Sequence, residues 1–162
     1  MFGRSSRLRQ CRTARRKSLF GFTLLEILLA FGVLGVLVAI GLPSYRSYVE
    51  RAKNHEVIVD ITVIAGMLNA YKAANGDFPA TLADIGWTKP DRWGNHYYYL
   101  DMAGASVGQK RKDRSLHPLN SDFDLYSAGP DGKTTTPLTA KISQDDIIRA
   151  NDGAFIGVAK DY

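Results

Sequence analysis

Glu26 is the only strongly polar side chain between Phe22 and Leu42, a run of 21 residues that is otherwise apolar or small. A carboxylate inside an apolar helix costs roughly 2.5–3.5 kcal/mol on membrane-insertion scales, so it requires a cation or takes up a proton. No lysine, arginine or histidine lies between Phe22 and Tyr45, so any cation has to come from outside the run. A second group of acids, Asp122, Asp124, Asp131, Asp145, Asp146 and Asp152, surrounds the turn formers Gly129-Pro130 and Gly132. Oxygen ligands around a turn suit calcium, solvated turn aspartates being the alternative. An EF-hand is excluded, because a loop begun at Asp122 needs glycine where Ser127 stands and glutamate where Lys133 stands. Histidines 55, 96 and 117 are scattered, and no His-Glu-x-x-His motif occurs. These ingredients argue against an enzyme. The single cysteine is Cys11, so from Leu42 onward neither an internal disulfide nor a cysteine metal site is available.

The elements that position these groups follow from periodicity and punctuation. As a helix, Phe22 to Leu42 spans about 32 Å, the thickness of a bilayer's hydrocarbon core. Residues 1–21 hold seven basic groups and no acid, and the remaining chain has 14 basic and 16 acidic residues. The formal charge of +5 therefore belongs to the N-terminal arm. That excess predicts residues 1–20 in the cytoplasm and everything after Pro43 exported. A basic arm leading into a membrane span argues against a direct nucleic-acid partner. In an ordinary secretory signal the apolar core precedes the cleavage site; here the charged stretch reaches almost to the candidate site and the apolar core follows it. A cut there leaves the membrane helix attached.

Beyond the span, Ile58, Ile61, Ala65, Leu68 and Tyr71 recur at helical spacing, and Asn75-Gly76 followed by Pro79 supplies a stop. One helix over about 22–74 is predicted, with a kink or local melting at Pro43. After Gly76, closely spaced glycines and prolines leave room for short pieces: strands at His96–Leu100, Phe123–Ser127 and Ala154–Val158, and a helical turn at Ala80–Ile85. The stretch Gln109–Arg114 reads as a solvated loop tip. The fold class is α+β, a long N-terminal helix packed on a small antiparallel sheet.

The junction Lys17-Ser-Leu-Phe-Gly21-Phe22-Thr23-Leu24-Leu25-Glu26 resembles the type IV prepilin signature. The resemblance implies that a membrane peptidase cuts between Gly21 and Phe22 and methylates the new amine, so that Glu26 becomes the fifth mature residue. Residues 1–21 are then a cleaved leader, 22–42 the transmembrane and assembly helix, and 43–162 the exported domain including the second half of the long helix. A free or methylated amine at Phe22 is cationic near neutral pH. In the family that amine is believed to pair with the glutamate of a neighbouring subunit.

Leu68-Asn-Ala-Tyr71-Lys-Ala-Ala-Asn75-Gly76-Asp-Phe78-Pro79-Ala-Thr81 and Asp91-Arg-Trp93-Gly94-Asn95-His-Tyr97-Tyr98-Tyr99 are similar to segments of the major pseudopilins of type II secretion systems, whereas residues 102–119 and the tail after Ile148 depart from that pattern. Tyr126–Gly132 followed by Asp145-Asp146-Ile147 resembles their calcium loop. The resemblance implies a calcium ion held by Asp131 and one or both of Asp145 and Asp146, with backbone carbonyls near Ala128 and Ser143. It further implies a non-enzymatic subunit of a homo-oligomeric filament. Such a subunit starts as a single-pass protein of the bacterial inner membrane, contacting lipid, and then enters a periplasmic pseudopilus that helps export folded proteins. Its implied partners are the prepilin peptidase, minor pseudopilins, an inner-membrane assembly platform and a cytoplasmic ATPase. The alternatives are a major or minor pilin of a surface fibre and a membrane-anchored adhesion or sensor domain that does not assemble.

Overall fold

The computed structural model describes residues 21–162. The basic arm with Cys11, expected as the leader, lies outside the described residues apart from Gly21. The chain forms two compact units, one ending at Pro43 and the other comprising Ser44–Tyr162. One helix, α1 (Leu24–Asn75), supplies all of the described part of the first unit except residues 21–23 and opens the second. It is assigned without interruption through Pro43. It stops where expected: Gly76 takes φ 92°, its amide donates to the Lys72 carbonyl at 2.8 Å, and the Asn75 side-chain amide closes onto the Tyr71 carbonyl at 2.9 Å.

In the second unit the rest of the chain folds as a four-stranded antiparallel sheet in sequential order, β1 (Tyr97–Asp101), β2 (Phe123–Ser127), β3 (Ile147–Ala150) and β4 (Phe155–Val158). The expected helical turn is a short 3-10 segment at Leu82–Ile85, and the Asp84 carboxylate accepts from both the amide and hydroxyl of Thr81. Strand β2 matches its expected bounds, and β1 and β4 lie within one residue of theirs. Strand β3 was not expected; all four of its residues are buried, so it lacks the polar alternation that marks a half-exposed strand.

Val57, Ile61, Ile64 and Leu68 of α1 pack against Tyr97, Phe123, Leu125 and Ile147 of the sheet. The stripe steps by 4, 3 and 4 residues and is turned slightly from the expected face, leaving Ile58 and Tyr71 at its margins. The turn places Asp60 at the core's edge, where its carboxylate accepts from Lys89 Nζ at 2.9 Å and from the Tyr97 hydroxyl at 2.9 Å. Burial, reinforced by Asp60, holds the Tyr97 phenol well above its ordinary pKa. The tyrosine triplet alternates as a strand should: Tyr97 enters the core, Tyr98 faces out and stacks on Tyr126 at 4.9 Å, and the Tyr99 hydroxyl reaches the Pro79 carbonyl at 3.0 Å.

Candidate functional site

Gly21 and Phe22 precede α1, outside any helix or strand and exposed. The Thr23 hydroxyl accepts from the Glu26 amide at 3.2 Å, capping the first turn. Thr23 and Glu26 stand at Thr-x-x-Glu spacing, a sequence signal that announces this cap. Glu26 lies in that turn, where its negative charge complements the partial positive charge of the helix N-terminus. The helix around it is long and apolar enough to cross a membrane, and the most apolar stretch is entirely unburied. Leu24, Leu25, Leu28, Leu29, Phe31 and Ile40 all expose most of their surface. An apolar surface of this extent needs lipid or protein to cover it.

The loop after β2 is built on a close backbone approach. Gly129 adopts φ 64°, and a Cβ there would lie 2.3 Å from the Asp145 carbonyl oxygen. Asp91 ties the preceding turn to this loop: its Oδ1 accepts from the amides of Trp93 (3.0 Å) and Asn95 (2.8 Å), and its Oδ2 from the Ser127 hydroxyl at 2.6 Å. The Asn95 amide side chain closes the bracket on the Gly129 carbonyl at 2.9 Å. Gly129→Ala is therefore expected to cost about 1–3 kcal/mol, since both the left-handed backbone and the space demand glycine. A thermal melt of the full chain checks this, and an unchanged midpoint contradicts it.

The structure divides the three carboxylates implied for calcium. Asp131 is exposed, accepts from the Lys133 amide at 2.8 Å, and with Asp145 lines an open concavity shared with Lys141, Ile142 and Gln144. Asp146 is buried instead, and its Oδ2 accepts from Arg111 Nη2 at 2.7 Å and from the Thr134 hydroxyl at 2.6 Å. Burial pushes the Asp146 carboxyl up to about 6, against the downward pull of Thr134 and Arg111. Ala128 and Ser143 are both buried, and the Ser143 hydroxyl accepts from the Thr135 amide at 2.8 Å and donates to the Thr135 carbonyl at 2.9 Å. Among the described residues, no group of three histidine, cysteine or acidic side chains is close enough to share a metal ion. Of the implied carboxylates, Asp131 and Asp145 line one concavity, whereas Asp146 is engaged by Arg111 and Thr134.

Arg111 corrects the reading of Gln109–Arg114 as a solvated tip, being 2% exposed. Its amide donates to Asp124 Oδ2 at 2.6 Å, its carbonyl accepts from the Leu119 amide at 2.9 Å, and its guanidinium lies 4.2 Å from the centre of the Tyr126 ring. A second buried arginine, Arg149, pairs with Asp122 through two contacts of 2.7 and 2.8 Å and lies over Phe123. Neither role carries a local sequence signal, because every partner of either guanidinium is remote in sequence.

No protein-family model matches the chain, and no solved structure matches it. Among curated proteins, it is 32% identical over 141 residues to the type II secretion system core protein G of Pseudomonas aeruginosa, covering 74% of this chain and 89% of the relative. The protein of the same name from Klebsiella pneumoniae is 29% identical over 134 residues, covering 69% and 85% of the two chains. That from Aeromonas hydrophila is 29% identical over 144 residues, covering 75% and 89%. With the apolar helix, its early glutamate and the antiparallel sheet packed on its second half, these matches show that the chain belongs to the type II secretion system core protein G family, the major pseudopilins.

Proposed function

We propose that this chain is the repeating subunit of a periplasmic pseudopilus, anchored first in the inner membrane by Phe22–Leu42 and then polymerised through that same helix. The observation that carries this reading is an apolar N-terminal stretch of α1 that is wholly unburied, with Glu26 in the first turn of the helix, leading into a domain that has its own core. Lipid covers the helix before assembly, and neighbouring helices cover it afterwards. The basic residues before Phe22 keep the N-terminus cytoplasmic and send the domain into the periplasm.

Cleavage after Gly21 creates a cation at Phe22, four residues before Glu26. In the filament that amine pairs with Glu26 of an adjacent subunit and sets the axial register. The chain performs no catalysis; it carries force, with an assembly platform and a cytoplasmic ATPase adding subunits and minor pseudopilins sharing the filament. Exposed, non-helical chain at Gly21 and Phe22 supports processing at that bond.

Intact mass of the membrane-extracted protein tests the processing step. The expected mass begins at N-methylated Phe22 when the peptidase is present, and Gly21→Leu is expected to retain residues 1–21. Filament-incorporated wild-type protein that still carries its leader overturns the reading.

A further inference from the structure

The buried pair of Arg111 and Asp146 occupies the loop in which the family resemblance implies a metal ion. Asp146 is 0% exposed. Arg111 Nη2 donates to its Oδ2 at 2.7 Å, Nη1 donates to the Thr135 carbonyl at 2.9 Å and to the Thr134 hydroxyl, and that hydroxyl donates in turn to Asp146. The face of Tyr126 completes the enclosure of the guanidinium. We propose that the Arg111 guanidinium is the resident cation of this loop, neutralising Asp146 in place of a divalent ion, so that the Ser127–Asp146 region closes without calcium.

Three observations carry this. A guanidinium stays charged at any physiological pH, and its planar fork holds a carboxylate and neighbouring oxygens together, as it does here. The remaining Asp146 oxygen, Oδ1, is buried without a hydrogen-bond partner, and a calcium ion placed on it would sit beside a positive group in a poorly solvated site, where like charges repel strongly. The other two carboxylates, Asp131 and Asp145, open instead onto a concavity that also presents Lys141. Arg111 comes from the segment between β1 and β2, so a part of the chain remote in sequence from Asp146 delivers the cation.

The test uses the full chain in detergent, where unfolding of the domain is read by tryptophan fluorescence. Trp87 and Trp93 are the only tryptophans, and both pack on the core. Wild-type midpoints in millimolar calcium and in a calcium chelator are expected to coincide. A calcium-dependent rise of roughly 10 °C, the shift produced by saturation about a hundredfold above the dissociation constant, overturns the proposal. Arg111→Met is expected to lower the midpoint by more than about 10 °C, because it leaves a buried carboxylate unpaired. Arg111→Met combined with Asp146→Leu is expected to recover much of that loss, since no buried charge remains. An unchanged midpoint for Arg111→Met, or strictly additive losses in the double variant, also overturns it. If Arg111→Met does not fold, the comparison of wild type with and without calcium still decides. The subunit is unassembled in detergent, so the result is independent of filament formation.

Discussion

Glu26→Leu is expected to insert into the membrane at least as well as the wild type and to form no filaments. Insertion improves because the substitution removes a carboxylate that costs roughly 2.5–3.5 kcal/mol at the centre of a membrane helix, and less near its end. Under the proposed pairing, assembly fails because the Phe22 amine of each neighbouring subunit is then enclosed among apolar helices without a counter-charge. Removing one partner of a buried ion pair typically costs 3–5 kcal/mol, equivalent to roughly two to four decades in the association constant at each contact. Glu26→Gln preserves size and polarity but not charge, and is expected to fail in the same way, which separates the pair from simple packing. Membrane fractionation and filament yield from the same cells measure the two effects. Wild-type filament yield from Glu26→Leu contradicts the intersubunit pair.

Phe123→Ala is expected to be the most damaging single truncation in the Ser44–Tyr162 unit. The ring is fully buried on β2, a central strand of the sheet. It meets Phe78 edge-on with centroids 5.0 Å apart, lies 6.1 Å from Tyr99, and has the Arg149 guanidinium 4.0 Å from its centre. Truncating a buried phenylalanine costs about 3–5 kcal/mol, a large part of the roughly 5–15 kcal/mol that stabilises a typical domain. Here the loss also strips the apolar platform from a buried arginine. The melting midpoint is expected to fall by more than about 10 °C, whereas Tyr98→Ala on the exposed face of β1 is expected to shift it by only a few degrees. Comparable shifts for the two variants contradict the assignment of Phe123 to the centre of the core.

The parts of the fold that were legible in the sequence are those governed by local chemistry. The apolar run, the stop at Asn75-Gly76 and strands β1 and β2 follow from periodicity and from residues that favour particular backbone angles. Strand β3 was not legible, because Ile147–Ala150 is enclosed on both faces and shows no alternation. The precise turn of α1 was also hidden, since Ile58 and Val57 are equally apolar. The pairing of Asp60 with Lys89 and Tyr97, which accompanies the observed face, links parts of the chain far apart in sequence.

The same distinction applies to the candidate sites. The Gly21-Phe22 junction and Glu26 stand out because their spacing is local. The Asp131, Asp145 and Asp146 set looked uniform because identical side chains carry no mark of their direction. Asp145 and Asp146 are neighbours at the entry to β3, where successive side chains point to opposite sides, so one faces the open concavity and the other the interior. Arg111 was hidden most thoroughly, lying in a run of charges that resembles a solvated tip while its partners Asp124, Thr134 and Asp146 arrive from later in the chain.

Electron cryo-microscopy of filaments assembled with this chain as the sole major subunit tests the filament role most directly. The expected map shows this chain repeating along the fibre, with its N-terminal apolar helices packed at the centre and Glu26 of each subunit within ion-pair distance of the Phe22 amine of a neighbour. Filaments that exclude this chain, or helices packed at the centre with Glu26 remote from every Phe22 amine, contradict it.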